Sequence, residues 1–178
     1  WTIHRNFIHF SLRKNITNIS GIPSWYQVLF QTIKDKTGEE DISNIWPNLE
    51  VFFHGGVSFE PYKDFFRSAI TSKNMHYMEM YNASEGFFAM QNDFADRGML
   101  LMLDYGIFYE FIPFEEENNK EKVLTLEDVE LGKPYEMIIS NNSGLWRYRI
   151  GDVVEFTSLQ PYKIIISGRT KHYLNLCG

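Results

Sequence analysis

Three short stretches carry side chains that can do chemistry. Residues 81–86, YNASEG, follow an apolar run ending in Met80 and offer an aromatic face at Tyr81, a hydroxyl at Ser84 and a carboxylate at Glu85. The end of a strand is a rigid mount for a carboxylate, and Mg²⁺ favours one or two carboxylates together with phosphate and water. The plainer reading is a strand that ends in a turn with a solvated glutamate. Residues 144–154, GLWRYRIGDVV, alternate Arg147 and Arg149 with Trp146, Tyr148 and Ile150, the pattern of a two-faced strand. Gly151 then permits a bend, and Asp152 stands at it. A fixed carboxylate there can accept both hydroxyls of a ribose in charge-assisted hydrogen bonds. Asp152 serves equally well as a turn former beside a wet sheet face, and the sequence leaves both readings open. Residues 167–171, SGRTK, place the planar donor Arg169 at the end of the run KIIIS. An ordinary charged surface turn would look the same.

A fourth stretch, HGG at 54–56, has no side chains at Gly55 and Gly56, so a planar ring can lie against its backbone. For an isolated Gly-Gly a tight turn is the commoner explanation. Other chemistries have no support. The five histidines are scattered without metal-ligand spacing, and there is no GxxxxGK[ST] phosphate loop. Ser84 has no evident base partner, which argues against a nucleophilic serine.

These residues need elements to position them. Pro23 suits a first helical turn, and Trp25, Val28, Leu29 and Ile33 then recur at helical spacing up to a stop at Gly38. The opening residues 1–15 mix apolar and basic side chains at roughly helical spacing. EEDISNIWPN reads as a surface connection with Ile45 and Trp46 tucked in. LEVFF (49–53) is a short strand, Pro61 opens a helix, and MHYMEM (75–80) is the next strand. A strand–helix–strand crossover makes the two strands parallel. Their carboxyl ends, with Gly55–Gly56 and Ser84–Glu85, are then expected on one edge, where open α/β sheets bind ligands. After residue 98 come short β-branched and aromatic runs (MLLML, IFYEFIP, YEMIIS, LWRYRI, VVEFT and KIIIS), separated by turn signals such as NNSG. The fold class expected is therefore α/β, residues 1–97, followed by a mostly antiparallel β-rich subdomain, residues 98–178. FEEENNKEK (114–122) reads as a solvated hairpin tip.

Composition sets the outer limits. At 44% hydrophobic and 16% aromatic, the 178 residues make a folded globular chain. Seventeen Lys and Arg against 23 Asp and Glu give a net charge of −6, with no basic stripe to suit nucleic acid. The single cysteine, Cys177, cannot form an internal disulfide, which fits a reducing, cytoplasmic setting. No apolar run is long enough to span a bilayer, and the start shows no signal-peptide pattern. Oligomeric state leaves no trace. The chain starts at Trp1 and stops inside what reads as an element, so a piece of a longer protein is expected.

YNASEG, GLWRYRIGDVV and SGRTK occur in the order of the signature segments of adenylate-forming enzymes, which they resemble. GIPSW, WPNLEVFFHGG and YEFIP narrow the resemblance to the Gretchen Hagen (auxin-responsive) family of acyl-acid–amido synthetases, in its bacterial flavour. It covers nearly all of the chain from Gly21. Plant members conjugate auxin and jasmonate to amino acids. The resemblance implies the central part of a large domain with a barrel-like β subdomain. It implies a ligase that joins a carboxylic acid to ATP, releasing pyrophosphate, and passes the acyl group to an amine or amino acid. Carried over, Gly55, Gly56 and Val57 would line the adenine and Tyr81 would flank it. The backbone of Asn82, Ala83 and Ser84 would frame the nucleotide. Glu85 would be the catalytic, Mg²⁺-holding carboxylate. Asp152 would bind the ribose with Arg169 close by, and Lys171 would be the hinge. The family's Ser/Thr-rich phosphate loop and its lysine-bearing C-terminal domain would lie outside this chain, leaving the isolated piece inactive. Alternatives are a ligase forming coenzyme A thioesters and a non-catalytic nucleotide- or partner-binding homologue. Trp25, Phe87, Phe88 and Met90 can contribute to an apolar acyl pocket or belong simply to the core.

Overall fold

The computed structural model describes residues 10–114 and 122–170. Lys171, Cys177, most of the 114–122 loop and the first nine residues lie outside them. The chain divides into two compact units, Trp1–Tyr81 and Asn82–Gly178.

In the first unit β1 (Asn18–Gly21), β2 (Val51–Gly55) and β3 (His76–Ala83) run parallel, with β2 in the middle. The parallel pairing of β2 and β3 is the one expected from the crossover. Its register sets Phe53 beside Met78 and Gly55 beside Met80. β1 was not foreseen, because NISG has one apolar residue and no alternation. Between strands lie α1 (Pro23–Thr37), a four-residue helix α2 (Ile42–Ile45), a 3₁₀ turn at Glu60–Tyr62 and α3 (Lys63–Ala69). Pro23 opens α1, and Gly38 closes it at φ 72°, its N–H donating to the Lys34 carbonyl at 2.8 Å. The surface connection expected around residue 42 is instead α2, capped by the Asp41 carboxylate, which accepts from the Ser43 N–H at 2.8 Å.

The buried face of α1 differs from the expected one. Phe30 and Ile33 are fully buried and Tyr26 and Leu29 pack beside them, whereas Trp25 and Val28 are 70% and 69% exposed. Val28 lies two residues from Tyr26, about 160° round the helix, so the two cannot share one narrow stripe. Trp25 is therefore not core. Aromatic rings fill this core. Phe52 stacks on Phe66 at 4.9 Å, Tyr26 reaches Phe52 at 4.9 Å, and Phe59 reaches Phe66 at 5.4 Å.

In the second unit β4 (Gly86–Gln91), β5 (Met99–Leu101), β6 (Ile107–Pro113), β7 (Pro134–Asn141), β8 (Tyr148–Leu159) and β9 (Tyr162–Arg169) stand side by side in the order β4-β5-β9-β8-β7-β6. The strand pairs β4–β5, β5–β9, β9–β8, β8–β7 and β7–β6 are antiparallel. β9, the last in sequence, is inserted between β5 and β8. The β-rich texture matches the expectation, but it begins earlier, with β4 directly after the Ser84–Glu85 turn. Phe88 and Ala89 of β4 are fully buried, and Phe87 and Met90 are half-buried. β7 is buried over Tyr135–Ile139, as suits an interior strand. Phe111 and Phe156 meet edge to face at 5.1 Å beside Tyr135. Among the described residues no helix is long and apolar enough to cross a membrane.

Candidate functional site

Glu85 sits at the second position of a two-residue turn between β3 and β4. Asn82, Ala83 and Ser84 before it are exposed, and Glu85 is half-buried. Its carboxylate accepts a long hydrogen bond from the Tyr148 hydroxyl at 3.3 Å. Its carbonyl accepts from the Asn141 side-chain amide at 3.2 Å. No Lys or Arg among the described residues pairs with it, so the charge is free to meet a cation. Nor do the described residues gather three metal-binding side chains anywhere. A single carboxylate with no protein cation beside it suits Mg²⁺ shared with phosphate and water better than a cage built by protein alone.

Asp152 is placed by a distortion of β8. Ile138 of β7 pairs with Arg149, but Glu136 pairs with Val153, so Ile150, Gly151 and Asp152 of β8 stand opposite Met137 alone. Gly151 lies inside this bulge at φ 86°, a conformation that few side chains tolerate. The bulge turns Asp152 inward. Only 4% of it is exposed, and its Oδ1 accepts from Arg169 Nε at 2.7 Å across the β8–β9 register. The Arg169 side chain itself remains 66% exposed. Asp152 and Arg169, picked out separately in the sequence, thus form one ion pair.

The two arginines ahead of the bulge are exposed, as on a wet sheet face, but each is held in an ion pair. Arg149 forks onto Glu136, Nε to Oε1 at 2.8 Å and Nη2 to Oε2, and Glu136 is 4% exposed. The bond to Glu136 raises the Arg149 pKa further. Arg147 donates to Glu110 at 3.0 Å. The alternating strand expected from residue 145 onward fails at its start: β8 begins at Tyr148, and Arg147 is left-handed at φ 47°. The preceding NNSG turn is held by Asn141, whose Oδ1 accepts from Ser143 N–H at 3.0 Å and Leu145 N–H at 3.3 Å.

The first unit holds the remaining candidates. Gly55 is buried as the last residue of β2. Gly56 is exposed at φ 80°, and a Cβ there would meet only Ile22 at an ordinary 3.5 Å. Its conformation, not its space, calls for glycine. Val57 is 44% exposed and Tyr81 only 4%. Next to the glycines, His54 is buried, stacked on Phe59 at 4.1 Å, with Nδ1 lacking a hydrogen-bond partner. Burial, helped by the nearby Lys63 charge, lowers its pKa from 6.5 to about 4. Lys171 lies outside the described residues. The sequence reading missed Asn141; its expectation that His54 is a turn or packing residue fits the buried ring found here. Asn at the head of NNSG signalled a turn, but nothing linked it to Glu85.

Two family models match. The GH3 family N-terminal domain matches residues 1–75, and the GH3 family central domain matches residues 100–169. Indole-3-acetic acid-amido synthetase GH3.3 of Arabidopsis thaliana is 30% identical over 134 residues, 70% of this chain and 22% of the relative. Jasmonoyl–L-amino acid synthetase GH3.5 of Oryza sativa subsp. japonica is 30% identical over 153 residues, 76% of this chain and 24% of the relative. The chain therefore spans about a quarter of the length of these curated relatives. Among solved structures, AtGH3.15 acyl acid amido synthetase in complex with 2,4-DB superposes with a TM-score of 0.76 at 15% identity, covering 95% of this chain and 38% of that one. 2-Hydroxyisobutyryl-CoA ligase in complex with 2-HIB-AMP and CoA gives 0.68 at 16% identity, covering 96% and 36%. The fold is shared with adenylate-forming enzymes.

Proposed function

Because the chain belongs to the GH3 family, we propose that it carries part of the adenylation site of an ATP-dependent acyl-acid–amido synthetase. The observation that carries this reading is that both family domains match in order, with Glu85 and Asp152 each held on a rigid turn or bulge. In the full-length protein a carboxylate oxygen of the acid attacks the α-phosphorus of ATP, and pyrophosphate leaves. The amine of an amino acid then attacks the acyl carbon, and AMP leaves.

The roles proposed are those that the family resemblance implies. Gly56 presents bare backbone at a strand end, and with Gly55 and Val57 it would line the adenine, which Tyr81 would flank. Asn82, Ala83 and Ser84 frame the nucleotide. Asp152 accepts the ribose hydroxyls, its charge balanced by Arg169. Glu85 would hold Mg²⁺, which would supply counter-charge to the phosphates. Lys171 serves as the hinge. A cytoplasmic location, with no nucleic-acid or membrane partner, fits the charge and cysteine content.

A thioester-forming ligase is the second reading, favoured by the fold shared with 2-hydroxyisobutyryl-CoA ligase. AMP release that depends on an amine, and not on a thiol, separates the two. The direct test is carboxylate-dependent ATP–pyrophosphate exchange by the full-length protein over a panel of aromatic and aliphatic acids. Exchange should require Mg²⁺ and collapse in Glu85→Ala. An unchanged Mg²⁺ dependence in that variant would falsify the role given to Glu85.

A further inference from the structure

Asn141 does two things at once. Its Oδ1 accepts from the Ser143 and Leu145 N–H groups, which closes the turn between β7 and β8. Its Nδ2 donates to the Glu85 carbonyl, 56 residues away in sequence. On the next strand Ile107, the register partner of Asn141, approaches the same turn. A Cβ built on Gly86 would lie 2.9 Å from the Ile107 side chain. The Glu85–Gly86 turn therefore rests directly on the Ile107–Asn141 rung. The Tyr148 hydroxyl, from the far side of the turn that Asn141 closes, reaches the Glu85 carboxylate.

We propose that Asn141 is a positioning residue for Glu85. It joins the 84–85 turn to the 141–145 turn, so that the carboxylate and the phenol of Tyr148 are held in one frame. An unsupported two-residue turn would let the carboxylate sample many directions, and a metal site tolerates little of that. This inference rests on the role proposed above for Glu85, but the tether itself can be tested without it.

Asn141→Asp keeps the oxygen that closes the 141–145 turn and removes the donor to Glu85. Asn141→Ala removes both. Amide hydrogen exchange on the protein should show faster exchange at residues 84–86 in both variants, with the 143 and 145 amides still protected only in Asn141→Asp. In the full-length protein, the Mg²⁺ concentration giving half-maximal pyrophosphate exchange should rise roughly fivefold in both variants, as expected for one neutral hydrogen bond. The added negative charge of Asn141→Asp would by itself tighten Mg²⁺, so a weakening there has to come from lost positioning. Unchanged exchange at 84–86 in Asn141→Asp overturns the tether. A loosened turn with unchanged Mg²⁺ dependence overturns its positioning role, provided Glu85→Ala does alter that dependence. If Glu85→Ala alters nothing, the reading of Glu85 fails and the exchange data alone decide the tether.

Discussion

Lowering the pH should destabilise this protein through His54. The folded pKa is about 4 and the ordinary value is 6.5, because burial beside Phe52 and Phe59 disfavours the imidazolium. Above pH 6.5 the ring is neutral in both states, and the full stability is present. As the pH falls from 6.5 toward 4, only the unfolded chain takes up the proton, so stability is lost. Below about 4 both states are charged and the loss is complete. At about 1.4 kcal/mol per pH unit the whole loss is about 3 kcal/mol, and roughly 2.5 kcal/mol of it should be seen by pH 4.5. The depressed carboxyls of Asp41 and Asp96 start from 3.8 and act below this window, while that of Glu39 starts from 4.5 and touches only its lower end. Urea unfolding of the wild-type chain at pH 7 and pH 4.5 reads the difference. His54→Phe keeps a flat ring between Phe52 and Phe59 and cannot titrate, so its stability should change by less than about 0.5 kcal/mol between the two pH values. His54→Gln, which also cannot titrate, covers the case in which the phenylalanine variant folds poorly. If a folded variant lost as much stability as the wild type, the burial account of His54 would be refuted.

Asp152→Ala in the full-length protein should weaken nucleotide binding tenfold or more, since a charged hydrogen bond contributes roughly 1.5–3 kcal/mol; titration calorimetry with AMP checks this. Arg149→Met leaves Glu136 buried without its fork and should cost about 2 kcal/mol in denaturant unfolding. Arg147→Met breaks only an exposed pair and should cost less than about 1 kcal/mol. Gly98→Ala places a Cβ 2.4 Å from the Thr157 hydroxyl and should lower stability by about 1–3 kcal/mol.

Punctuation made part of this fold legible. Pro23, Gly38, the HGG stretch and Pro61 mark where elements start and stop, and the β2–α3–β3 crossover followed from them. β1 left no such mark, because its pairing comes from its neighbour β2 and not from its own pattern. In α1, Trp25 and Val28 satisfied a helical spacing but not the face that Phe30 and Ile33 bury. In GLWRYRI the alternation of residue types did not become two faces: residues 146–149 are all exposed, and the left-handed Arg147 breaks the strand before Tyr148. Asp152 and Arg169 could be named from residue type and flanking glycines. Their pairing could not, since it depends on the β8–β9 register and on a bulge of two residues. The Asn141 contact with Glu85 was equally hidden, because only folding brings residues 56 positions apart together.

The insertion of β9 between β5 and β8 has a consequence for synthesis. Met99 of β5 pairs with Ile164 of β9, 65 residues later. A ribosome adding roughly 5–20 residues per second needs several seconds to supply that partner. For that interval the apolar Met99–Leu101 segment has one side of its backbone open to any extended chain nearby. Nascent chains of this protein should therefore need chaperone shelter until residues 162–169 emerge and close the array.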